Sequence, residues 1–144
     1  MIMEHTLRVQ LISPDAKLPT YGHPGDAGLD LFSAVDYELK ADEVYPVPIG
    51  IKIAVPEGYV GLVWDKSGIS LGGVHRLAGV IDSGYRGEVK VVLCNLGAGP
   101  FSISRGMKVA QLLIQPVIPV RVDGVEDLEK TPRGEGGFGS TGLY

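Results

Sequence analysis

Apolar positions in this chain come in short runs that alternate with polar ones, and turn residues interrupt each run before it grows long. Leu7, Val9 and Leu11 alternate with Arg8, Gln10 and Ile12, which predicts a first strand over residues 6–12 with one face in a core. Ser13-Pro14-Asp15 ends it. A loop rich in Pro and Gly, residues 17–26, then delivers Ala27-Gly28-Leu29-Asp30-Leu31 into a second strand. Further strands are predicted over residues 36–40, 44–48 and 50–56, where Ile49, Ile51, Ile53 and Val55 alternate strictly and so place one face of a sheet in the interior. After Pro56-Glu57-Gly58, residues 59–64 predict another strand. Asp65-Lys66-Ser67-Gly68-Ile69-Ser70 is the one stretch that predicts a short helical turn, because Asp and Ser cap well. Val80 and Ile81 read as the end of a strand, Asp82-Ser83-Gly84 as a tight turn, and residues 85–88 as the entry to a strand running on to Asn95: a hairpin. Residues 112–122 form a nearly continuous apolar strand interrupted by Pro116 and Pro119. Prolines there imply an edge, or a strand that crosses to another partner.

Composition narrows the class. The 144 residues suit one domain, and 21 Gly with 10 Pro leave no long segment of strong helix formers, so an all-β protein is expected. A formal charge of −4 excludes a broad basic surface for stable nucleic-acid binding; any anionic ligand must be held by local basic groups, backbone N–H groups or a metal. Cys94 is the single cysteine. It cannot close an internal disulfide, and between Leu93 and Asn95 it reads as a small core residue in a reducing compartment. Met1-Ile2-Met3-Glu4-His5-Thr6 lacks the basic and apolar regions of a leader, and no apolar run approaches the ~18 residues of a membrane span, so a soluble, cytoplasmic protein is expected. From Asp123 the pattern changes. Residues 1–130 read as the β domain, and residues 131–144, with five glycines among fourteen, as a flexible arm that cannot build a core of its own.

Candidate chemistry sits in several places. Asp30 lies between Leu29 and Leu31, where a carboxylate either caps a neighbouring turn or points inward to order a cation or a water near a ligand. Lys66, Ser67 and the N–H of Gly68 make an adequate phosphate grip. Gln111, beside core aliphatics, either satisfies backbone groups or contacts a ligand. Asp82 and Tyr85 place an acid and an aromatic ring on one turn. In the arm, Arg133, Phe138, Ser140 and Thr141 supply a guanidinium, a ring and two hydroxyls, spaced by glycines that free backbone N–H groups for phosphates.

Taken in order, Ala27-Gly28-x-Asp30-Leu31, Lys66-Ser67-Gly68, Gly79-Val80-Ile81-Asp82-x-x-Tyr85-Arg86-Gly87, Arg105-Gly106-x-x-x-Ala110-Gln111 and Arg133-Gly134-x-Gly136-Gly137-Phe138-Gly139-Ser140-Thr141-Gly142 resemble the five motifs of the homotrimeric dUTP pyrophosphatases (dUTPases). The resemblance spans nearly the whole chain. It implies a distorted β jelly roll in a homotrimer, each site built from three subunits: residues 27–31, 66–68 and 105–111 from one, residues 79–88 from a second, and the arm from a third. The implied reaction is dUTP plus water to dUMP plus pyrophosphate. Asp82 would activate the attacking water, and Mg²⁺, held mainly by the triphosphate and water with no direct protein ligand, would assist. The resemblance further implies that Lys66, Ser67, Gly68, Gln111, Arg133, Gly139, Ser140 and Thr141 hold the triphosphate, with Asp30 and Arg105 as supporting polar groups. Tyr85 would pack under the deoxyribose. Arg76, Gly79, Val80, Ile81 and Asp82, with the backbone of Lys90, would read uracil, and Phe138 would stack on it.

Two departures are visible. The family's second motif usually reads Arg-Ser, whereas here Lys66 keeps the charge but not the bidentate fork. Some relatives carry Asn where this chain has Arg76, so only its backbone transfers. Among rivals, the dCTP deaminases share the fold but carry a catalytic Glu at about the position of Val92, and an apolar residue there argues against deamination. A non-catalytic nucleotide-binding trimer is weighed against by Asp82, Tyr85 and the complete arm.

Overall fold

The computed structural model describes residues 5–144; most of the stretch Met1 to Thr6, read above as lacking leader features, lies outside the described residues. In chain order the elements are β1 (Arg8–Leu11), β2 (Thr20–Tyr21), β3 (Leu29–Phe32), β4 (Tyr37–Leu39), β5 (Val44–Ala54), β6 (Tyr59–Trp64), α1 (Ser67–Leu71), β7 (Val74–Leu77), β8 (Val80–Ile81), β9 (Glu88–Asn95), β10 (Phe101–Ile103) and β11 (Lys108–Pro116). One sheet has the order β1-β5-β9-β7, a second β2-β3-β11-β6-β8, and β10 pairs with β4. Every pairing is antiparallel. No described helix is long and apolar enough to cross a membrane.

The alternating residues build the centre. Ile49, Ile51, Ile53 and Val55 are all buried, packed with Leu31, Leu39, Val91, Leu93 and Leu112 in one cluster. Each such side chain contributes about 1.5–3 kcal/mol of burial free energy. The alternation therefore specifies which face of β5 turns inward. Cys94 is buried, as its neighbours imply.

Four expectations change. The two strands read over residues 44–48 and 50–56 are a single strand, β5, whose pairing with β9 shifts register between Pro48 and Ile51. Gly50 makes the shift possible: its φ is +67°, and a Cβ there would come within 2.8 Å of Ala16 and 2.9 Å of Ser13. The first strand is shorter than residues 6–12, and Leu11 and Ile12 are exposed. The strand expected over residues 112–122 starts earlier and ends at Pro116. Beyond Val117, whose N–H donates to the Gly58 carbonyl at 2.9 Å, the apolar alternation continues through Ile118, Val120 and Val122 with all three exposed. The periodicity is that of a strand, but no sheet of this chain covers it.

The fourth change concerns the hairpin. β8 pairs with β6, while β9 pairs with β5 and β7, so the two arms of the expected hairpin lie in different sheets. Residues 82–87 form a bridge across the sandwich. Local turn chemistry was legible in Asp82-Ser83-Gly84, but the flanking strands pair with residues about 15 to 50 positions away, as Leu77 with Val92 and Val44 with Cys94, which turn composition does not encode.

Candidate active site

The bridge is held by its own polar groups. The Tyr85 N–H donates to the Asp82 carbonyl at 3.1 Å. Arg86 Nη1 donates to the carbonyls of Ser83 at 2.7 Å and Tyr85 at 2.8 Å. The Tyr85 hydroxyl donates to the Glu88 carbonyl at 3.0 Å. Its ring lies across Gly87, where a Cβ would overlap the hydroxyl and the ring edge. Glycine at 87 is thus what lets the aromatic face lie flat beside the turn. Here the two sheets part into a cleft of about 340 Å³ lined by Pro46, Val63, Gly79, Val80, Ile81, Asp82, Tyr85, Glu88, Val89, Lys90 and Val92. Asp82 is exposed at it and Ile81 is buried behind it. The cleft offers an apolar floor, backbone edges, one carboxylate and one ring.

A second cluster lies farther along the β2-β3-β11-β6-β8 sheet. Gln111 in β11 is in register with Asp30 of β3 on one side and Trp64 of β6 on the other. Asp30 is buried, its Oδ1 accepting from Lys66 Nζ at 2.6 Å and its Oδ2 pairing with Lys108 Nζ at 3.2 Å. The structure decides between the two readings of this acid: it points inward, and the cations it orders are lysine ammonium groups. Burial by itself raises the Asp30 carboxyl, but the hydrogen bonds and charges of Lys66 and Lys108 outweigh it and hold the group below the ordinary carboxylate range. Lys66 is thereby oriented by a buried anion. The pair makes a testable contribution to stability. A carboxyl lowered on folding stabilises above its unfolded value of about 3.9, and that contribution disappears as pH falls through the folded value. In Asp30→Asn stability at neutral pH should drop by about 1–3 kcal/mol, with a lower melting temperature, and the loss of stability on acidification below about pH 4 should shrink. Thermal melts across that range check both signs.

Gln111 Nε2 donates to the Asp65 carbonyl at 2.8 Å. Ser67 and Gly68 open α1 and are exposed, whereas Asp65 does not cap it; the N-cap is Lys66, with no side-chain cap bond. Asp65 turns instead toward β7, accepting the Arg76 N–H at 2.8 Å and facing His75 Nδ1 at 3.0 Å. Sequence reading missed this residue, because its partners lie ten and eleven positions away on another strand. Arg105 is placed by its N–H on Asp36 at 2.7 Å and its guanidinium on Asp15 at 3.3 Å.

Neither Lys66, Ser67, Gly68 nor Gln111 lines the cleft of Asp82 and Tyr85, and no arm residue does. The arm forms successive turns, with N–H groups of Gly134, Gly136, Ser140 and Gly142 donating three residues back and Arg133 Nε donating to Gly136 at 2.8 Å. Among the described residues its hydrogen bonds stay within the arm, and Phe138 is fully exposed. One chain therefore holds three sets of candidate residues that it does not bring together.

The family model described as dUTPase matches residues 14–142, which include all the motif positions above. This chain belongs to the dUTPase family. Among curated dUTPase relatives, the deoxyuridine 5'-triphosphate nucleotidohydrolase of Clostridium kluyveri is 48% identical over 139 residues, covering 94% of this chain and 97% of its own. That of Clostridium tetani is 43% identical over 142 residues, covering 96% and 98%. Of solved dUTPases, that of Staphylococcus bacteriophage 80alpha with dUPNHPP superposes with a TM-score of 0.90 at 32% identity, covering 96% of this chain and 99% of that one. The dUTPase of Staphylococcus aureus phage phi11, described with a structural Mg(II) ion, gives 0.81 at 30% identity over 88% and 100%. The fold is accordingly the dUTPase jelly roll, its sandwich distorted by the bridge. Val92, where a deaminase would carry its Glu, is a half-buried apolar residue at the cleft.

Proposed function

We propose that this dUTPase hydrolyses dUTP to dUMP and pyrophosphate at sites shared among the subunits of a homotrimer, limiting uracil incorporation into DNA and supplying dUMP for dTMP synthesis. One observation carries the reading: the cleft that holds Asp82 and Tyr85 contains none of the candidate phosphate ligands, so a complete site needs residues from other copies. The exposed alternation of Ile118, Val120 and Val122 supports the same assembly, since such a surface is stable when a neighbouring copy covers it.

In this reading the Asp82 carboxylate orients the attacking water and accepts its proton as the oxygen bonds to the α-phosphorus. Lys66, steered by Asp30, meets the phosphates with Ser67, the Gly68 N–H and Gln111. Arg133, Gly139, Ser140 and Thr141 of the arm close over them, Phe138 covers the base and water is excluded. Mg²⁺ would arrive on the triphosphate with its own waters, which supply most of the six oxygens of its preferred octahedron. That ion would neutralise charge on the departing pyrophosphate. The backbone of residues 79–81 and Lys90 pairs the uracil edge, and a mismatched base leaves buried polar groups unpaired at about 1–3 kcal/mol each. A cytoplasmic setting suits a nucleotide substrate and a reduced Cys94.

Incubation of the protein with Mg²⁺ and dUTP, UTP, dCTP or dTTP, following pyrophosphate, tests the reaction. Release from dCTP but not dUTP, or from none of the four, overturns it. Sedimentation tests the assembly: a particle of one 15.3 kDa chain at micromolar concentration would sink the shared-site reading. Tyr85 is expected to exclude ribose by its position across Gly87. Gly87→Ala should displace the ring with little loss of stability and lower the preference for dUTP over UTP by about tenfold. Paired kcat/KM values for the two substrates provide the check.

A further inference from the structure

We propose that Asp65 is a positioning residue for base recognition, acting through the backbone of residues 76–82. The inference rests on the reading that this segment pairs the base edge. Asp65 stands between β6 and α1, and its polar atoms reach β7 on one side and β11 on the other. Its Oδ1 accepts the Arg76 N–H at 2.8 Å. Its Oδ2 faces His75 Nδ1 at 3.0 Å and Arg76 Nε at 3.9 Å. Its carbonyl accepts from Gln111 Nε2 at 2.8 Å.

The Arg76 side chain completes the clamp. Its guanidinium lies 4.6 Å from the centroid of the Trp64 ring, next in sequence to Asp65, and Nη1 donates to the Ala78 carbonyl at 3.2 Å. Arg76 Nε is buried and has no hydrogen-bond partner among the described residues, so the Asp65 carboxylate is the charge that compensates it. At the other end of the segment the Gly79 carbonyl accepts from the Val63 N–H at 3.1 Å. The backbone carrying Gly79, Val80 and Ile81 into the cleft is thus pinned to β6 at Gly79 and to the β6–α1 junction at Arg76. The first pin is ladder-like and needs no particular side chain. The second depends on the carboxylate at 65, and a shift of the segment when it is lost would misplace the groups that face the base.

The test measures kcat and KM for dUTP and dCTP in wild type, Asp65→Ala and Asp65→Asn, with melting curves for each. Asp65→Ala should lower the dUTP to dCTP ratio of kcat/KM by about tenfold, chiefly by raising KM for dUTP, with kcat held within about twofold. Asp65→Asn keeps an oxygen for the Arg76 N–H but loses the charge, and should lower the ratio by about threefold. A ratio unchanged in the variants that fold, including Asn alone if Ala does not fold, overturns the inference. So does a fall in kcat or melting temperature with the ratio intact, which marks a merely structural residue. A wild type that hydrolyses dUTP and dCTP equally overturns the base-reading assignment itself, and this inference with it.

Discussion

Asp82→Asn should bind dUTP with nearly wild-type affinity and turn it over about 10²–10⁴-fold more slowly, the range that a positioned general base supplies. Asparagine has the shape of aspartate but cannot accept the proton of the attacking water. The substitution spares the fold for a visible reason: what holds the turn is the Asp82 carbonyl, bonded to the Tyr85 N–H, together with the Arg86 contacts, whereas the carboxylate is exposed at the cleft. Titration calorimetry with dUTP, whose hydrolysis should be slow in the variant, and single-turnover kinetics separate binding from chemistry. Near-normal turnover would remove Asp82 from its role.

Removal of residues 133–144 should leave a folded trimer whose kcat/KM for dUTP is lower by about a hundredfold or more, the scale expected when positioning groups are lost. Arg133, Phe138, Ser140 and Thr141 leave together, and with them the phosphate contacts and the ring over the base proposed for the arm. Stability should hardly change. The described hydrogen bonds of the arm are internal to it, and Phe138 buries nothing against its own chain. Circular dichroism, sedimentation and steady-state rates on the truncated protein distinguish the outcomes: an unfolded or monomeric product would mean that the arm is structural, and full activity would remove it from the site.

The two experiments differ in what they ask of the molecule. In the proposed mechanism Asp82 acts on the reacting water, so its loss should appear in kcat. The arm is proposed to close over bound substrate, so its loss should appear in both constants.

Much of this was legible before any coordinates. Period-2 alternation at Ile49, Ile51, Ile53 and Val55 identified the core face, because a pleated strand sends successive side chains to opposite sides whatever its partners are. Tyr59–Trp64 and Glu88–Asn95 have the expected bounds, since Gly and Pro punctuate both sharply. The motif residues could be named from their order along the chain. Asp30 could be recognised as an acid needing a partner, because a carboxylate among leucines must find one.

Which partner it finds was not legible. Lys66 and Lys108 reach Asp30 from 36 and 78 positions away, and only the pairing of β3 with β11 beside β6 brings them to it. The Gly50 register shift, the placement of β8 and β9 in different sheets, and the turn of Asp65 toward Arg76 are decisions of the same kind. Strand identity and inward face follow from local sterics and hydrophobicity, which neighbouring residues carry. Strand order, and the company a buried charge keeps, follow from long-range packing, which no local pattern encodes. The sequence by itself determined a β protein with an acid and a ring on one turn. The tertiary structure decided that this turn bridges two sheets and opens a cleft that holds only some of the candidate residues.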